Sequence, residues 1–309
     1  MILSAGLTPA WQQMMVFRWF RPGEVNRASE VLWRAQGKVV NVGVAAHHLG
    51  GPSLTLATLG GPPLASIERQ LAELGVPRRW IVTDSPTRIC TTILDQSTGT
   101  MTELVENGRP LGQEELDEFC NVYAQEAARA DVAVITGSLP SGVPASFYRE
   151  LVERTPCRAV LDFRGEGLLH VLDLRPLVVK PNREELAQTV GQSLDDDRQL
   201  LDAMRSLNDR GARWVVVTQG AGPVWVTSAS KTYRLQPLRC DAVVNPLGSG
   251  DAMAAAIAWS VRAGRSMVDA VRFGIAAAAE NLRQLEVCRL DPAAVERRAR
   301  EVAAEEILE

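Results

Sequence analysis

The sequence predicts an α/β protein with a doubly wound, mostly parallel sheet, helices on both faces and a small β-stranded lid. Short apolar runs alternate along the chain with helical patterns, which is typical of consecutive βαβ units. The runs are nearly uninterrupted Val, Ile and Leu, as in strands that are buried on both faces of a sheet. With 309 residues, the chain has the length of one large α/β unit, so we expect residues 1–309 to form a single domain.

Four strands and four helices are predicted in the middle of the chain. The strands are expected at 132–139, 159–165, 177–182 and 214–220, and the helices at 113–130, 146–155, 183–191 and 196–211. Ligands bind at the carboxyl ends of strands in such sheets. The turns there should therefore line a pocket, and they contain Gly137, Ser138, Asp162, Lys180, Pro181, Asn182, Thr218, Gln219, Gly220 and residues 248–251.

Two other regions break this rhythm. Polar and apolar residues alternate over roughly 11–36 and 86–108, and this pattern predicts small antiparallel strands. We expect these strands to form the lid over one edge of the main sheet. Near the C-terminus, Asp291 is a typical helix N-cap and Pro292 a typical first helical residue, so a final helix is expected over 291–309.

Composition limits the classes of partner. The net charge is −4 and the isoelectric point is about 5.6, so no general basic field favours nucleic acid or an anionic membrane. The five cysteines are scattered, odd in number and never in C-x-x-C spacing, which indicates reduced thiols. No signal peptide is recognisable, and no apolar run reaches the roughly 18 residues that span a bilayer. We therefore expect a cytoplasmic protein.

The stretch NPLGSGDAMAAAIA (245–258) places one carboxylate between a flexible loop and an apolar helix. The N–H groups of Gly248, Ser249 and Gly250 can converge on one point, and the helix adds its positive N-terminal end, an arrangement that suits phosphate. An acid such as Asp251 in a first helical turn is equally typical of capping. The motif alone leaves both interpretations open. Neither G-x-x-x-x-G-K-[ST] nor G-x-G-x-x-G occurs in the sequence.

Together with other segments in the same order, this stretch resembles the ribokinase-like (PfkB) carbohydrate kinases. It is similar to the family's second signature, and QGKVVNVGVAAHHLGG (36–51) resembles the first. TRICTTI (87–93), GSLPSGVP (137–144) and KPNREEL (180–186) are most similar to the branch of 1-phosphofructokinase and tagatose-6-phosphate kinase. The resemblance covers nearly the whole chain. It implies a ribokinase-like fold and transfer of the γ-phosphoryl group of ATP to a sugar hydroxyl, with Mg²⁺ and optionally K⁺.

The resemblance also implies roles for individual residues. Asp251 matches the general base, and the amides of residues 248–250 match the site that stabilises the transferring group. Asn182 and Glu185 match an N-x-x-E element that arranges Mg²⁺ through its waters. The nucleotide-binding candidates are Asn182, Thr218, Gly220, Gly222 and, near adenine, Asn281.

For the acceptor sugar, Arg88 matches the arginine that binds the substrate phosphate in the phosphosugar branch, a task that suits a bidentate guanidinium. Asn41 matches an asparagine that binds sugar hydroxyls. The other substrate-binding candidates lie in neighbouring motifs and are Gln12, Arg27, Gly37, Lys38 and Ser138.

Four positions depart from the family pattern. Gln36 and Val39 replace glycines of the first signature, Gln12 stands where an acidic sugar ligand is expected, and Asn245 replaces an acid in the second signature. Backbone pressed against a sugar usually requires glycine. We therefore expect a reshaped sugar pocket.

The resemblance thus implies an ATP-dependent sugar-phosphate kinase that converts fructose 1-phosphate to fructose 1,6-bisphosphate. The alternatives are a tagatose-6-phosphate kinase, a kinase for an unphosphorylated sugar or nucleoside, a non-catalytic sugar- or nucleotide-binding regulator, and an α/β protein that binds another anion. Trp11, Trp19 and Trp33 fall in the lid region. An apolar lid surface would pair with a second subunit, so we expect a homodimer through the lid.

Overall fold

Two sheets form the framework of the computed structural model, which describes residues 1–240 and 243–308. In these residues the strands are β1 (Ile2–Gly6), β2 (Ala10–Phe17), β3 (Glu30–Gln36), β4 (Ser53–Gly60), β5 (Arg78–Thr83), β6 (Arg88–Asp95), β7 (Thr100–Val105), β8 (Val132–Thr136), β9 (Arg158–Asp162), β10 (Val178–Val179), β11 (Trp214–Val217), β12 (Val224–Thr227), β13 (Thr232–Leu235) and β14 (Ala304–Ile307). The α-helices are α1 (Lys38–His48), α2 (Pro63–Glu73), α3 (Gln113–Ala127), α4 (Ser146–Glu153), α5 (Glu166–Leu169), α6 (Arg183–Val190), α7 (Asp197–Asp209), α8 (Ser249–Arg262), α9 (Met267–Asn281) and α10 (Pro292–Ala299).

The larger sheet of the described residues has the strand order β14-β13-β12-β11-β10-β9-β8-β1-β4-β5. All pairs from β5 to β11 are parallel, and the pairs from β11 to β14 are antiparallel. From β1 the chain extends the sheet one way through β4 and β5, and then the other way through β8 to β11. This is the doubly wound arrangement, and the prediction of a mostly parallel sheet of this kind is confirmed.

The parallel strands alternate their side chains between two hydrophobic cores, one on each face of the sheet. In β8, Val132 and Val134 belong to the core that includes α1, α8 and α9, whereas Ala133 and Ile135 belong to the core that includes α3, α4 and α7. All four side chains are fully buried. Helices on both faces therefore explain why these strands appear in the sequence as continuous apolar runs.

Helix α8 passes through the first core, and most of its residues are buried. Its small side chains allow close contact with α1 and α9. At Gly274 of α9, an added Cβ would lie 2.8 Å from Cγ of Met253, which shows how closely the two helices approach. This packing fixes the N-terminus of α8 relative to the sheet. Within the described part of the chain, no helix has both the length and the apolar character needed to cross a membrane.

The smaller sheet is the lid, with the strand order β3-β2-β6-β7. β3 pairs with β2, and β7 with β6, in antiparallel fashion, but β2 and β6 are parallel. The prediction of antiparallel strands is therefore wrong for the central pair. The reason is topological, because β2 follows β1, β6 follows β5, and both of those strands run in the same direction in the main sheet.

The C-terminal segment is only partly helical. Asp291 caps α10 by accepting a hydrogen bond from the amide of Ala293, as expected, but the helix ends at Ala299. Residues Ala304–Ile307 form β14, which pairs antiparallel with β13. The prediction of a helix over the whole of 291–309 is therefore wrong. The segment is rich in helix-forming Ala and Glu, but pairing with the edge strand satisfies its backbone groups and outweighs that weak local preference.

Candidate active site

A cavity of about 340 Å³ lies between the lid and the carboxyl ends of the parallel strands. The lid contributes residues of β2, β6 and β7, and the body contributes the turns after β9, β10 and β11 and the start of α8. Most of the residues predicted from the sequence lie on its wall, namely Gln12, Gly37, Lys38, Asn41, Arg88, Asn182, Glu185, Thr218, Gly248, Ser249, Gly250 and Asp251.

The loop before α8 forms an anion-binding end of this cavity. Gly248 is the N-cap of α8 and has a φ of 76°, in the left-handed region that favours glycine. A Cβ at this position would lie 2.3 Å from Cγ1 of Val287, so glycine is required by conformation and by space. The turn places the first N–H groups of α8 at the cavity wall. These groups have no partner within the helix, and they attract negative charge.

Asp251 lies in the first turn of α8 and lines the same cavity, although only 6% of its surface is exposed. Nδ2 of Asn41 donates a hydrogen bond to Oδ2 of Asp251 at 2.8 Å. Burial raises the pKa of Asp251 to about 6, the Lys38 ammonium opposes the shift, and the Asp162 carboxylate adds to it. The burial of Asp251 and its partner therefore favour a proton acceptor over a helix cap.

A paired cluster of two lysines and two carboxylates surrounds Asp251. Nζ of Lys180 lies 3.3 Å from Oδ1 of Asp162. Nζ of Lys38 lies 3.4 Å from the same oxygen and 3.3 Å from Oε1 of Glu185. Burial alone would lower the pKa of Lys38, but the Asp162, Glu185 and Asp251 carboxylates outweigh it and raise that pKa. Lys38 therefore stays positively charged across the working pH range.

Asp162 and Lys180 also line the cavity, and the sequence assigned neither of them a role. Asp162 is 1% exposed and Lys180 is 3% exposed. Burial alone would raise the pKa of Asp162, but Lys180 and Lys38 together hold it below its usual value. Buried charges of this kind are almost always paired. The available signal was the position of each residue at the carboxyl end of an apolar strand, Asp162 as the last residue of β9 and Lys180 directly after β10, where a charge needs a buried partner.

Asn182 and Glu185 begin α6 as a capping box. Oδ1 of Asn182 accepts from the Glu185 amide at 2.8 Å, and Oε2 of Glu185 accepts from the Asn182 amide at 3.0 Å. The described residues contain no group of three or more His, Cys, Asp or Glu side chains that could hold a metal directly. Two oxygen donors at the cavity wall nevertheless fit Mg²⁺ that keeps several waters and also contacts phosphates.

Arg88 lies at the lid side of the cavity, where backbone carbonyls hold its guanidinium. Nη2 donates to the carbonyl of Thr8 at 3.0 Å, Nε to that of Pro9 at 3.3 Å, and Nη1 to that of Glu106 at 3.2 Å. Each Nη atom retains a second N–H. The side chain is therefore oriented in advance and still able to bind an anion.

Two predicted substrate residues lie away from the cavity wall. Arg27 is exposed in the connection between β2 and β3, and Ser138 is exposed in the turn after β8, with Oγ 3.3 Å from Oγ1 of Thr8. Gln12, in contrast, faces the cavity and donates from Nε2 to Oγ1 of Thr92 at 2.7 Å. Glu103 of β7 also lines the lid wall, which gives the lid side of the cavity a carboxylate that no sequence motif indicated.

A second cavity, of about 950 Å³, adjoins the first and shares Asn182, Thr218, Ser249 and Gly250 with it. Gly220, in the turn between β11 and β12, lines this second cavity, and apolar side chains of α8 and α9 line its deeper part. Gly222 and Asn281 do not line it. Asn281 is buried and supports the anion loop instead, since Nδ2 donates to the Leu247 carbonyl at 2.8 Å and to Oγ of Ser249 at 3.1 Å.

The family model of the pfkB family carbohydrate kinases matches residues 9–293 of this chain. Among solved structures, a Thermotoga maritima protein described as a possible 1-phosphofructokinase is 21% identical, with a TM-score of 0.89 and 99% of each chain covered. Escherichia coli phosphofructokinase-2 in complex with fructose-6-phosphate is 23% identical, with a TM-score of 0.85 and 97% of each chain covered.

Arabidopsis thaliana ribokinase complexed with ribose and ATP is 19% identical, with a TM-score of 0.74 and coverage of 96% of this chain and 97% of that one. At these identities the structural matches establish the ribokinase-like fold, which the sequence predicted. The family match extends over most of the chain and includes the anion loop, Asp251 and the lid. The chain therefore belongs to the pfkB family of carbohydrate kinases and is a phosphotransferase.

Proposed function

We propose that the protein is an ATP-dependent sugar-phosphate kinase whose acceptor is a phosphorylated ketohexose, with fructose 1-phosphate as the first candidate and fructose 1,6-bisphosphate as its product. Asp251 takes the proton of the acceptor hydroxyl while that oxygen forms a bond to the γ-phosphorus of ATP. The bond between this phosphorus and the bridging oxygen breaks, and ADP leaves. The N–H groups at the start of α8 stabilise the charge on the transferring group.

One observation carries the proposed acceptor class. The guanidinium of Arg88, held by three backbone carbonyls, lines the same cavity as Asp251 and the anion loop. A cation fixed on the lid side of the cavity suits a substrate phosphate, while Asp251 on the body side suits the hydroxyl that reacts. The carbonyls that hold Arg88 favour this orientation before any substrate binds.

The second cavity supports the choice of ATP as donor. It is large enough for a nucleotide, and Met253, Ile275 and Ala279 give it an apolar depth that suits a base. It meets the first cavity at Ser249 and Gly250, so a nucleotide bound there would present its phosphates to the anion loop. Mg²⁺ held through waters by Asn182 and Glu185 would neutralise charge on those phosphates.

An ADP-release assay with purified protein, Mg²⁺-ATP and a panel of sugars tests this function. Fructose 1-phosphate and tagatose 6-phosphate are compared with fructose and with a nucleoside. We expect turnover with a phosphosugar, and we expect Arg88→Ala to raise KM for it at least about tenfold, because a charge-assisted pair with phosphate is lost. Arg88→Lys should recover part of this loss.

Other outcomes favour the alternatives. If fructose or a nucleoside is the best acceptor and Arg88→Ala leaves its KM unchanged, the phosphosugar assignment fails. If ATP binds and no member of the panel yields ADP, the non-catalytic regulator is favoured. The raised pKa of Asp251 argues against that regulator, since a protein that only binds ligands has no need of a buried proton acceptor.

We also propose a homodimer formed through the outer face of the lid. Register places Val31 and Trp33 of β3, Ile89 of β6 and Leu104 of β7 on the face that points away from Gln12, and all four are substantially exposed. An apolar patch of this kind is typical of an interface. Light scattering should give twice the chain mass, and Trp33→Glu with Leu104→Glu should give a monomer; a monomeric wild-type protein contradicts the proposal.

A further inference from the structure

A cleft of about 330 Å³ lies at the amino ends of β9, β10 and β11, at the edge of the sheet opposite the active site. Three arginines line it, Arg158, Arg175 and Arg213, and we call it the arginine cleft. Its wall also includes Cys157 and Asp131. None of these residues takes part in the site described above.

The order of the strands brings the three arginines together. Arg158 is the first residue of β9, while Arg175 and Arg213 come shortly before β10 and β11. Val178 of β10 pairs with Val160 of β9 and with Trp214 of β11, so the three strands start at nearly the same level. Neighbouring strands are about 4.8 Å apart. The guanidinium groups therefore enter one cavity from adjacent strands.

A structural role accounts for only one of these arginines. Nη1 of Arg158 donates to the carbonyl of Val261, in the last turn of α8, at 2.8 Å, and Nε donates to the carbonyl of Asp131 at 3.3 Å. The guanidinium groups of Arg175 and Arg213 make no hydrogen bond or ion pair with any residue that the structure describes. Both side chains are exposed at the cleft.

Charge in the cleft is unbalanced. Asp131 is the one carboxylate on its wall within the described residues, and its Oδ2 already accepts from Nε of Arg262 at 3.1 Å and from the Met1 ammonium. The carboxylate is thus neutralised by cations other than the three arginines. An excess of positive charge is concentrated here, in a protein whose net charge is −4.

We propose that the arginine cleft binds a small phosphate-bearing anion at a site separate from the catalytic cavity. Guanidinium groups match phosphate oxygens through parallel hydrogen bonds, and two of the three arginines have their full donor capacity available. The cleft's size suits a metabolite. The proposal does not depend on the identity of the acceptor sugar.

Cys157 supplies a reporter for this site. It precedes Arg158, lines the cleft and is partly exposed. We would follow alkylation of Cys157 by neutral iodoacetamide, peptide by peptide in mass spectra, at increasing concentrations of inorganic pyrophosphate. Saturable protection of Cys157 is expected in the wild-type protein. In Arg175→Ala/Arg213→Ala the half-saturating concentration should rise at least about tenfold, because charge-assisted hydrogen bonds are lost.

Arg129→Ala is the matched control, since Arg129 is 74% exposed and lies outside the cleft. It should leave the protection curve unchanged, and the buried Cys120 should stay unlabelled in every variant, which shows that the fold is intact. A parallel series with ADP and with fructose 1,6-bisphosphate distinguishes a nucleotide from a sugar phosphate as the source of the phosphate. The proposal is overturned if none of the three compounds protects Cys157, or if protection is equal in the double variant.

Discussion

The pH dependence of turnover tests the assignment of Asp251 as the proton acceptor. With a pKa of about 6, Asp251 is ionised to about nine-tenths at pH 7 and to about one-tenth at pH 5. If only the ionised form reacts, kcat/KM should fall about tenfold between these two values. Because phosphate groups of the substrates also titrate near pH 6, the wild-type profile alone does not identify the group.

Asn41→Ala isolates the contribution of Asp251. The Asn41 amide donates to the Asp251 carboxylate at 2.8 Å, and this hydrogen bond favours the ionised form. A hydrogen bond to a charged group contributes about 1.5–3 kcal/mol, and about 1.4 kcal/mol corresponds to one pKa unit. The acid limb of kcat/KM should therefore move upward by about one to two units. The loss of kcat/KM relative to wild type should grow as the pH falls, to about tenfold to a hundredfold at pH 5, and should nearly vanish by pH 9.

Profiles of kcat/KM from the ADP-release assay, measured from pH 5 to 9, supply the readout. Asn208→Ala is the matched control, since Asn208 is also buried and hydrogen-bonded but lies on α7, away from the cavity. It should lower stability and leave the acid limb in place. An acid limb that does not move in Asn41→Ala, or that moves downward, would refute the role of Asp251 as the titrating base.

Three further predictions follow from the same geometry. Gly248→Ala should lower kcat at least about a hundredfold, because it disturbs the anion loop. Gly264→Ala is the control, since Gly264 has a similar φ of 75° with open space around it, and this change should cost only about 1 kcal/mol of stability. Equal losses of kcat in the two variants would contradict the prediction. Asp251→Asn should raise the free energy of unfolding by up to about 3 kcal/mol at pH 8, because the native state no longer has to ionise a buried acid whose pKa is about 6. The gain should vanish below about pH 4, where the acid is protonated in both the folded and the unfolded state. Denaturant titrations of wild type and variant at the two pH values measure this difference. Asp162→Asn should cost about 3–5 kcal/mol by leaving Lys180 buried without its partner, and an unchanged urea midpoint would argue against that pairing.

Much of the fold follows from local signals in the sequence. Helix α7, for example, runs over Asp197–Asp209 inside the predicted range 196–211, because Asp196 caps it by accepting from the amide of Gln199. Strand β14 gives no such signal. Its residues, Ala304–Ile307, pair with β13, which lies about 70 residues earlier in the chain. No local sequence pattern indicates this pairing. The parallel pairing of β2 and β6 likewise depends on how β1 and β5 are placed in the main sheet.

In the candidate site too, the sequence predicts the residues whose position depends on a local motif and does not predict those whose position depends on distant parts of the chain. Asp251, Asn182 and Glu185 stand in motifs whose local backbone determines their position, so the sequence places them correctly at the cavity. Arg27 was predicted from its nearness to a motif, but the connection between β2 and β3 carries it away from the cavity wall. Asp162 was noted only as a turn residue, because its pairing with lysines from two other segments exists only in the folded chain.

The balance of charge around Asp251 bears on the proposed transfer between two phosphorylated compounds. Lys38 and Lys180 are matched by Asp162 and Glu185, so these four groups leave little net positive charge for a polyphosphate. In the proposed reaction the ATP phosphates must therefore be compensated by the N-terminus of α8 and by Mg²⁺. In that proposal, Arg88 on the lid binds the phosphate of the acceptor. Two anionic groups bound in this way on opposite sides of the cavity would repel each other less than two groups bound side by side.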